Sequence, residues 1–418
     1  MTTDFADPVD PLPGTDEPDT HSPTTSRAVA HAVRAAERLL TTRLGAQVRL
    51  ADPEGLGGSG RSTVLRVRVA HTPFALPKTL VIKHSPLRTP MDEVDLFAQE
   101  AASCQLFTAL RRENRPGPEL IACDAAARLL VLEDLGRSGT VASLLHSTVP
   151  HTASRAEQAL LKWAHALGRL HATTRNRERD FAALLRRLGA PHLTDMFAAD
   201  GRAALLGLPA VLKAELGVQT SAEAAAEARQ AGTLLDGRSY RAFSPADLGP
   251  DNAVAGQTVR FIDFEGGGFR TVLLDAAQLR APLPSSVVAL AFPPGMAEAM
   301  VSAWHSEVVS AWPELADRAL LTRRLLDAQV VWTWLCTWWL LPMPRLRTPA
   351  TAVLPSEEDF AMVSDRGKLL VDRWELLAAE ARLVGRTATA DHAAAVADAL
   401  RRRFGITGQA LPLYPVFR

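Results

Sequence analysis

Along this chain the spacing of apolar residues runs helical, then alternating, then helical again. Val29, Val33, Ala36 and Leu40 recur at i, i+4, i+7 and i+11, one face of a helix that Ser26 would cap. From about 47 to 135 the period falls to two: Val48 to Leu50, a glycine-rich turn, Val64-Leu-Arg-Val-Arg-Val69 with Arg66 and Arg68 alternating, and Leu80-Val-Ile-Lys83, the signature of strands. A predicted helix from Met91 to Arg112 interrupts them, with Phe97, Glu100, Cys104 and Phe107 on one face, and strands follow at Glu119 to Cys123 and Arg128 to Leu132. After Gly136 the pattern is helical, including Ala153 to Ala172 with Leu160, Ala164, Leu167 and Leu170. Short strands at Tyr240 to Phe243 and Val259 to Asp263 are the exception. The pattern predicts an α+β protein: a small, mostly antiparallel sheet with one helix, then a larger and mainly helical part. No internal repeat is found.

Residues 1 to 25 carry six acids (Asp4, Asp7, Asp10, Asp16, Glu17, Asp19), five prolines and no Lys or Arg. Such a segment cannot bury enough apolar surface to offset its chain entropy, so a disordered acidic tail is expected. The division that follows is tail 1–25, an N-terminal lobe 26–135 with a leading helix 26–44, and a C-terminal lobe 136–418. Forty-six bases balance forty-six acids in 418 residues, which gives no general electrostatic reason to expect nucleic acid or an anionic membrane as partner. Cys104, Cys123 and Cys336 are odd in number and scattered, as reduced thiols are. The start, Met1-Thr-Thr-Asp-Phe-Ala-Asp, has neither the basic nor the apolar region of a signal peptide, and a cytoplasmic protein is expected. The least polar stretch, Ala328 to Met343, is shorter than the ~20 residues of a bilayer span and predicts a buried helix.

Gly55-Leu-Gly-Gly-Ser-Gly60-Arg-Ser62 fits two phosphate motifs, a P-loop with Arg61 in the lysine position and a G-x-G-x-x-G loop through Gly55, Gly57 and Gly60. P-loops and dinucleotide loops need a helix directly after the glycines, so that its N-terminal N–H groups meet the phosphate. Here an alternating strand follows. A glycine hairpin between strands is left, the geometry that lays backbone over nucleotide phosphates in kinases, or else an ordinary turn.

Lys83 ends an apolar run, where an unpaired charge is costly, and it is one of five lysines against 41 arginines. A compact point charge is implied rather than a guanidinium fork. Glu100 is the natural counter-ion; a purely structural ion pair is the alternative. Leu129-Leu-Val-Leu-Glu-Asp-Leu135-Gly reads as a buried strand running into a hinge, whose backbone at Glu133 and Leu135 would serve a nucleobase, or else as a buried strand followed by a plain turn.

The strongest signal is Phe243-Ser-Pro-Ala-Asp247-Leu-Gly-Pro-Asp-Asn252 followed by Val259-Arg-Phe-Ile-Asp263-Phe-Glu265. An Asp, an Asn five residues on and an Asp closing an apolar strand form the set phosphoryl transfer needs: one carboxylate to orient and deprotonate a hydroxyl, and an amide and a carboxylate to hold the metal on the phosphates. In order, the glycine loop, Leu80-Val-Ile-Lys83, Glu100, Leu132-Glu-Asp-Leu135, Leu167-Gly-Arg-Leu-His171, Asp247-x4-Asn252 and Ile262-Asp263-Phe-Glu265 resemble the aminoglycoside phosphotransferase and choline-kinase-like family over roughly 47 to 280.

The resemblance implies a protein-kinase-like two-lobe fold with ATP or GTP and Mg2+ between the lobes. It implies Asp247 as catalytic base, Asn252 and Asp263 as magnesium ligands, Lys83 on the α/β-phosphates with Glu100 behind it, and Gly55, Gly57, Gly58, Ser59 and Gly60 over the phosphates. Asp275 would anchor the catalytic loop, and Gly266-Gly-Gly-Phe-Arg270 would close the metal site. The chain departs from the family's His-Gly-Asp: it has Pro245-Ala246-Asp247, and Gly249 replaces a second histidine. The bracing histidine is thus missing, which keeps a nucleotide-binding pseudokinase open beside the active small-molecule kinase; a P-loop ATPase is the outsider.

Of the tryptophans, Trp332 and Trp339 share a face with Leu335 and are expected in the core; Trp334 and Trp338 are open candidates for a substrate platform. Residues 176–236 hold eight acids against seven bases and 270–418 fifteen against sixteen. With no acidic surplus for a polycation, the expected acceptor is a neutral or weakly charged hydroxylated metabolite or antibiotic.

Overall fold

The computed structural model describes residues 23–57, 62–73, 75–85, 95–190, 195–237, 239–280, 290–341, 357–408 and 411–418. The acidic segment 1–22 and the loop residues Gly58, Ser59, Gly60 and Arg61 lie outside them.

The chain enters through α1 (Pro23–Leu44) and builds a sheet from β1 (Arg49–Gly55), β2 (Thr63–His71), β3 (Thr79–His84), β4 (Leu120–Asp124) and β5 (Leu129–Glu133), with α2 (Leu96–Thr108) between β3 and β4. The sheet is antiparallel throughout, in the order β1-β2-β3-β5-β4. Because directly paired residues share a face, the register Leu65↔Ile82↔Val131 and Val64↔Lys83↔Leu130 sorts the sheet into two sides. Leu65, Val67, Leu80, Ile82 and Val131 are buried beneath Ala32, Ala36 and Leu40 of α1. The other side carries Val64, Arg66, Val81 and Lys83 toward a cleft. Helix α1 starts at Pro23, three residues before the expected cap at Ser26; proline is tolerated in a first turn, where its missing N–H has no helical partner.

Helix α2 is shorter than the expected span to Arg112. The Asp95 side chain accepts from the Ala98 N–H at its start, and at its end Arg115 turns back to the carbonyls of Thr108 at 3.1 Å and Leu110 at 3.3 Å. Strand β1 runs beyond Leu50 to Gly55 through an irregularity between Ala51 and Glu54, with Asp52 at φ 52°, and so carries the sheet up to the glycine turn.

The larger part is helical. It comprises α3 (Val141–Leu145), α4 (Ala153–Thr174), α5 (Glu178–Arg187), α6 (Met196–Leu216), α7 (Ala222–Ala231), α8 (Val272–Gln278), α9 (Met296–Val308), α10 (Arg318–Leu340), α11 (Glu357–Leu383) and α12 (Thr387–Phe404). Two small hairpins cross it: β6 (Arg241–Ser244) with β9 (Gly268–Thr271), and β7 (Ala253–Val254) with β8 (Arg260–Phe261). Only Arg260 and Phe261 of the predicted strand 259–263 are extended in a ladder; Asp263 itself has φ +63°.

One aromatic cluster joins the two parts. Phe107 of α2 meets Phe243 and Phe264 edge-on, each at 4.8 Å between centroids, and Phe243 meets Phe181 and Phe269 in the same manner. Such pairs contribute roughly 0.5–1.5 kcal/mol each beyond area burial.

Helix α10 is the buried helix expected from 328 onward, and no helix among the described residues is long and apolar enough to cross a membrane. Its tryptophans correct the sequence reading in part. Trp332 is buried as expected and donates to the Leu274 carbonyl at 2.7 Å. Trp339 is exposed and donates to Asp200, while Trp334 is buried like Trp332, because helix neighbours on more than one side enclose residues 325–337 and leave the last turn at the surface. The cysteines are free thiols.

Candidate active site

Two structural facts bring the predicted residues together. The β7–β8 hairpin pairs Ala253 with Phe261, and the Ile262 N–H donates to the Asn252 carbonyl at 2.9 Å, so Asn252 and Asp263, eleven positions apart, emerge side by side. The β2–β3–β5 register then turns Lys83 toward them from the sheet. The result is a cleft of about 600 Å³. Its walls include Gly57, Lys83, Glu100, Glu133, Leu135, Asp247, Asn252, Asp263 and Glu265. Val64 and Val81 lie on the sheet side and Val254 and Ile262 on the other, two apolar surfaces that face each other across it.

Lys83 is the centre of the charge arrangement. Its Nζ lies 2.7 Å from Oε1 of Glu100 and 2.9 Å from Oδ1 of Asp263. Lys83 and Glu100 are buried, at 8% and 3% exposure, whereas the Asp263 side chain is 38% exposed. Burial alone would pull the Lys83 pKa down, but the charges of Glu100 and Asp263 outweigh it and the net displacement is upward. Burial pushes Glu100 up to about 7, against the pull of Lys83. The two directions are compatible: one ammonium between two carboxylates leaves the group a positive charge short, and the deficit falls on the deeper carboxylate. Asp263 and Asn252 offer only oxygen donors facing solvent-accessible space, which suits a hard divalent cation. Among the described residues no cluster of three or more His, Cys, Asp or Glu could hold a metal unaided; Mg2+ held through one or two protein ligands and substrate phosphates needs no such cage.

Asp247 sits in the loop after β6. It is exposed, and its Oδ1 accepts from the Gly249 N–H at 3.1 Å, an Asx turn that orients the carboxylate. The preceding Ala246 has φ +69°, a left-handed conformation that costs a non-glycine residue roughly 1–2 kcal/mol. Strained backbone thus brackets the site at Ala246 and Asp263. Ser244 at the base of this loop donates to Asp275 at 2.8 Å, the anchoring expected for Asp275.

The strands on either side of the glycine segment pair antiparallel: Leu56 N–H bonds the Val64 carbonyl at 3.0 Å and β2 begins at Thr63. A strand in that place removes the P-loop ATPase reading. Gly57, at φ +84°, lines the cleft, whereas Gly55 closes β1 opposite Leu65 and is not among the lining residues. Gly58, Ser59 and Gly60 are outside the described residues.

At the hinge, side chains tie neighbouring strands together. Glu133 Oε2 accepts from the Glu119 N–H at 3.1 Å and from Arg260 Nη2 at 3.0 Å, tying β4 and β5 to the strand before Asp263; burial raises its pKa, but these donors prevail and the net is downward. Leu135 lies beyond the end of β5, where the backbone has left the ladder. Sequence reasoning missed Arg66, whose Nε and Nη2 hold Asp134 in a two-point bond at 2.9 and 3.0 Å while Nη2 also reaches the Gly136 carbonyl at 2.7 Å. The signal was present: Arg66 shares the period-two face of Val64, and hence of Lys83.

No protein-family model matches this chain, and no curated protein matches it. Among solved structures it is similar to a choline kinase from Cryptosporidium parvum Iowa II, with a TM-score of 0.44 and 12% identity over 82% of this chain and 92% of that one.

Proposed function

We propose that this protein is a small-molecule kinase that transfers the γ-phosphoryl group of ATP or GTP to a hydroxyl of a neutral or weakly charged metabolite or antibiotic, in a Mg2+-dependent reaction. The observation that carries the reading is the convergence on one cleft of Lys83 from β3, Glu100 from α2, and Asp247, Asn252 and Asp263 from the stretch after β6. A structural ion pair would account for Lys83 and Glu100 but not for the oxygen donors and the oriented carboxylate beside them.

In this reading the base lies between Val64 and Val81 above and Ile262 below, against the backbone at Glu133 and Leu135. Lys83, held forward by Glu100, takes the α/β-phosphates. Asn252 and Asp263 hold Mg2+, which neutralises charge on the phosphates. Gly57 offers its backbone to them, with no side chain of its own to obstruct the approach. Asp247 orients the acceptor hydroxyl and takes its proton as the oxygen attacks phosphorus. The pseudokinase is the weaker alternative, because Asp247, Asn252 and Asp263 are all present and line one cleft.

The test has two arms. Calorimetry should give Mg2+-dependent ATP or GTP binding that Asp263→Ala abolishes, since that carboxylate is the charged metal ligand. A panel of hydroxylated metabolites and antibiotics, incubated with nucleotide and Mg2+, should yield a product 80 Da heavier by mass spectrometry, one phosphoryl unit. Nucleotide binding with no transfer to any acceptor and no slow hydrolysis would favour the pseudokinase; unchanged binding in Asp263→Ala would refute the metal site.

A further inference from the structure

Beneath the Asp247 loop runs a line of four buried side chains from four different elements. Trp304 of α9 donates its indole N–H to Nδ1 of His171 at 2.9 Å. Nε2 of His171, on α4, lies 3.0 Å from Oδ2 of Asp275 on α8. Oδ1 of Asp275 takes the hydroxyl of Ser244 at 2.8 Å, and the Ser244 oxygen accepts the Ala246 N–H at 3.2 Å. Trp304 and His171 are fully buried, Ser244 is 1% and Asp275 2% exposed.

The direction of every bond in this line is determined. An indole N–H can only donate, so Nδ1 of His171 must be its acceptor and carries no proton. The ring's single proton is therefore on Nε2 and points at Asp275. One oxygen of that carboxylate is occupied by His171 and the other by Ser244, so the hydroxyl hydrogen of Ser244 is committed and its lone pair faces the loop. That lone pair meets the N–H of Ala246, the residue held at φ +69° immediately before Asp247. On the loop's other side, the backbone of Gly266 packs so closely that a Cβ there would stand 3.2 Å from the Ala246 side chain. The turn is thus fixed from beneath by a hydrogen bond and from above by contact.

We propose that Trp304 and His171 are positioning residues for Asp247, an inference that rests on the phosphotransferase reading for its kinetic consequence. They fix the carboxylate of Asp275, which through Ser244 holds the left-handed turn at Ala246 and aims the Asp247 carboxylate. Pro245 can supply neither a backbone N–H nor a side-chain donor to this turn, so the line from Trp304 takes over the bracing.

The experiment uses the full-length protein and the variants Trp304→Phe, His171→Leu, His171→Gln and Ser244→Ala. Hydrogen exchange is followed by mass spectrometry in a peptide spanning 244–249 and, as a control, in one from β2–β3; nucleotide KM and kcat are measured on the acceptor found by the panel. Exchange at 244–249 should rise about tenfold or more in Trp304→Phe, His171→Leu and Ser244→Ala with β2–β3 unchanged. kcat should fall about tenfold while nucleotide KM stays within twofold. His171→Gln, whose amide offers both a donor and an acceptor, should recover most of the loss. Ser244→Ala removes one oxygen at the end of the line and keeps the test decisive if Trp304→Phe does not fold. Wild-type exchange at 244–249 in folded variants, or kcat and KM moving together, overturns the proposal. Raised exchange in variants of a wild type that transfers no phosphoryl group would refute the kinase reading and leave the brace itself supported.

Discussion

Nζ of Lys83 and Oδ1 of Asp263 are 2.9 Å apart across 180 residues of sequence. The ammonium spans the cleft from Glu100 to the residue proposed to hold the metal. Lys83→Met leaves Glu100 buried without its counter-ion, and breaking such a pair costs roughly 3–5 kcal/mol. The melting temperature should fall clearly and nucleotide affinity more than tenfold. Adding Glu100→Gln to Lys83→Met should restore much of the stability but none of the affinity. If the double variant is no more stable than Lys83→Met, the pair does not carry the energy assigned to it.

Asp247→Asn keeps the shape of the side chain and removes its charge. Mg-nucleotide binding should stay near wild type while kcat falls roughly 10²–10⁴-fold, the usual worth of a positioned general base. Calorimetry and steady-state kinetics on the same preparation separate the two. Wild-type turnover by this variant would exclude Asp247 as the base.

A different set of groups governs the helical core. Gln329 on α10 is 2% exposed, and among the described residues neither atom of its amide finds a hydrogen-bond partner; one turn further, the Thr333 hydroxyl lacks one there too. Each buried unsatisfied group costs on the order of 1–3 kcal/mol, so Gln329→Met, of similar volume, should raise the melting temperature by a degree or more. A lower value would mean that an ordered water satisfies the amide in solution.

His392 of α12 lies between the rings of Trp334 and Trp374, at 6.2 and 5.8 Å, and burial lowers its pKa from 6.5 to about 4. The unfolded chain therefore takes up a proton between pH 6.5 and 4 that the folded one refuses. Stability from this residue is present above pH 6.5 and lost as the pH falls toward 4, by at most about 3 kcal/mol. Asp372 and Glu380, raised by burial to about 6 and about 7, act in the opposite direction over the same window. Urea unfolding of wild type against His392→Gln cancels them. The stability difference should swing against wild type on acidification, and a difference independent of pH would remove His392 from the account.

Much of the fold was legible because it rests on local periodicity. Val64 to Val69 and Leu80 to Lys83 announced strands whose inner and outer faces the sheet keeps, and Phe97, Glu100, Cys104 and Phe107 announced the helix that carries the glutamate. The limits of β1 and α2 were not legible, since an irregular pairing at Ala51 and a returning arginine at 115 set them. Trp339 was misjudged for a related reason: sharing a face with Trp332 decides direction, not depth, and α10 leaves the core before its last turn.

The sequence by itself determined which groups exist and on which face of its own element each one stands: a lysine ending an apolar strand, a glutamate on an apolar helix face, and an Asp, Asn and Asp in order. Only the tertiary structure decided what those groups meet. Lys83 touches Glu100 because β3 pairs between β2 and β5, Asn252 stands beside Asp263 because the short β7–β8 hairpin closes between them, and Ser244 reaches Asp275 because β6 pairs with β9 ahead of α8. Periodicity follows from bonds within an element and is written locally. Encounters between elements depend on register and packing summed over the whole chain, so the brace from Trp304 to Ala246, whose members are spread over 133 residues of sequence from 171 to 304, appears only once the chain has folded.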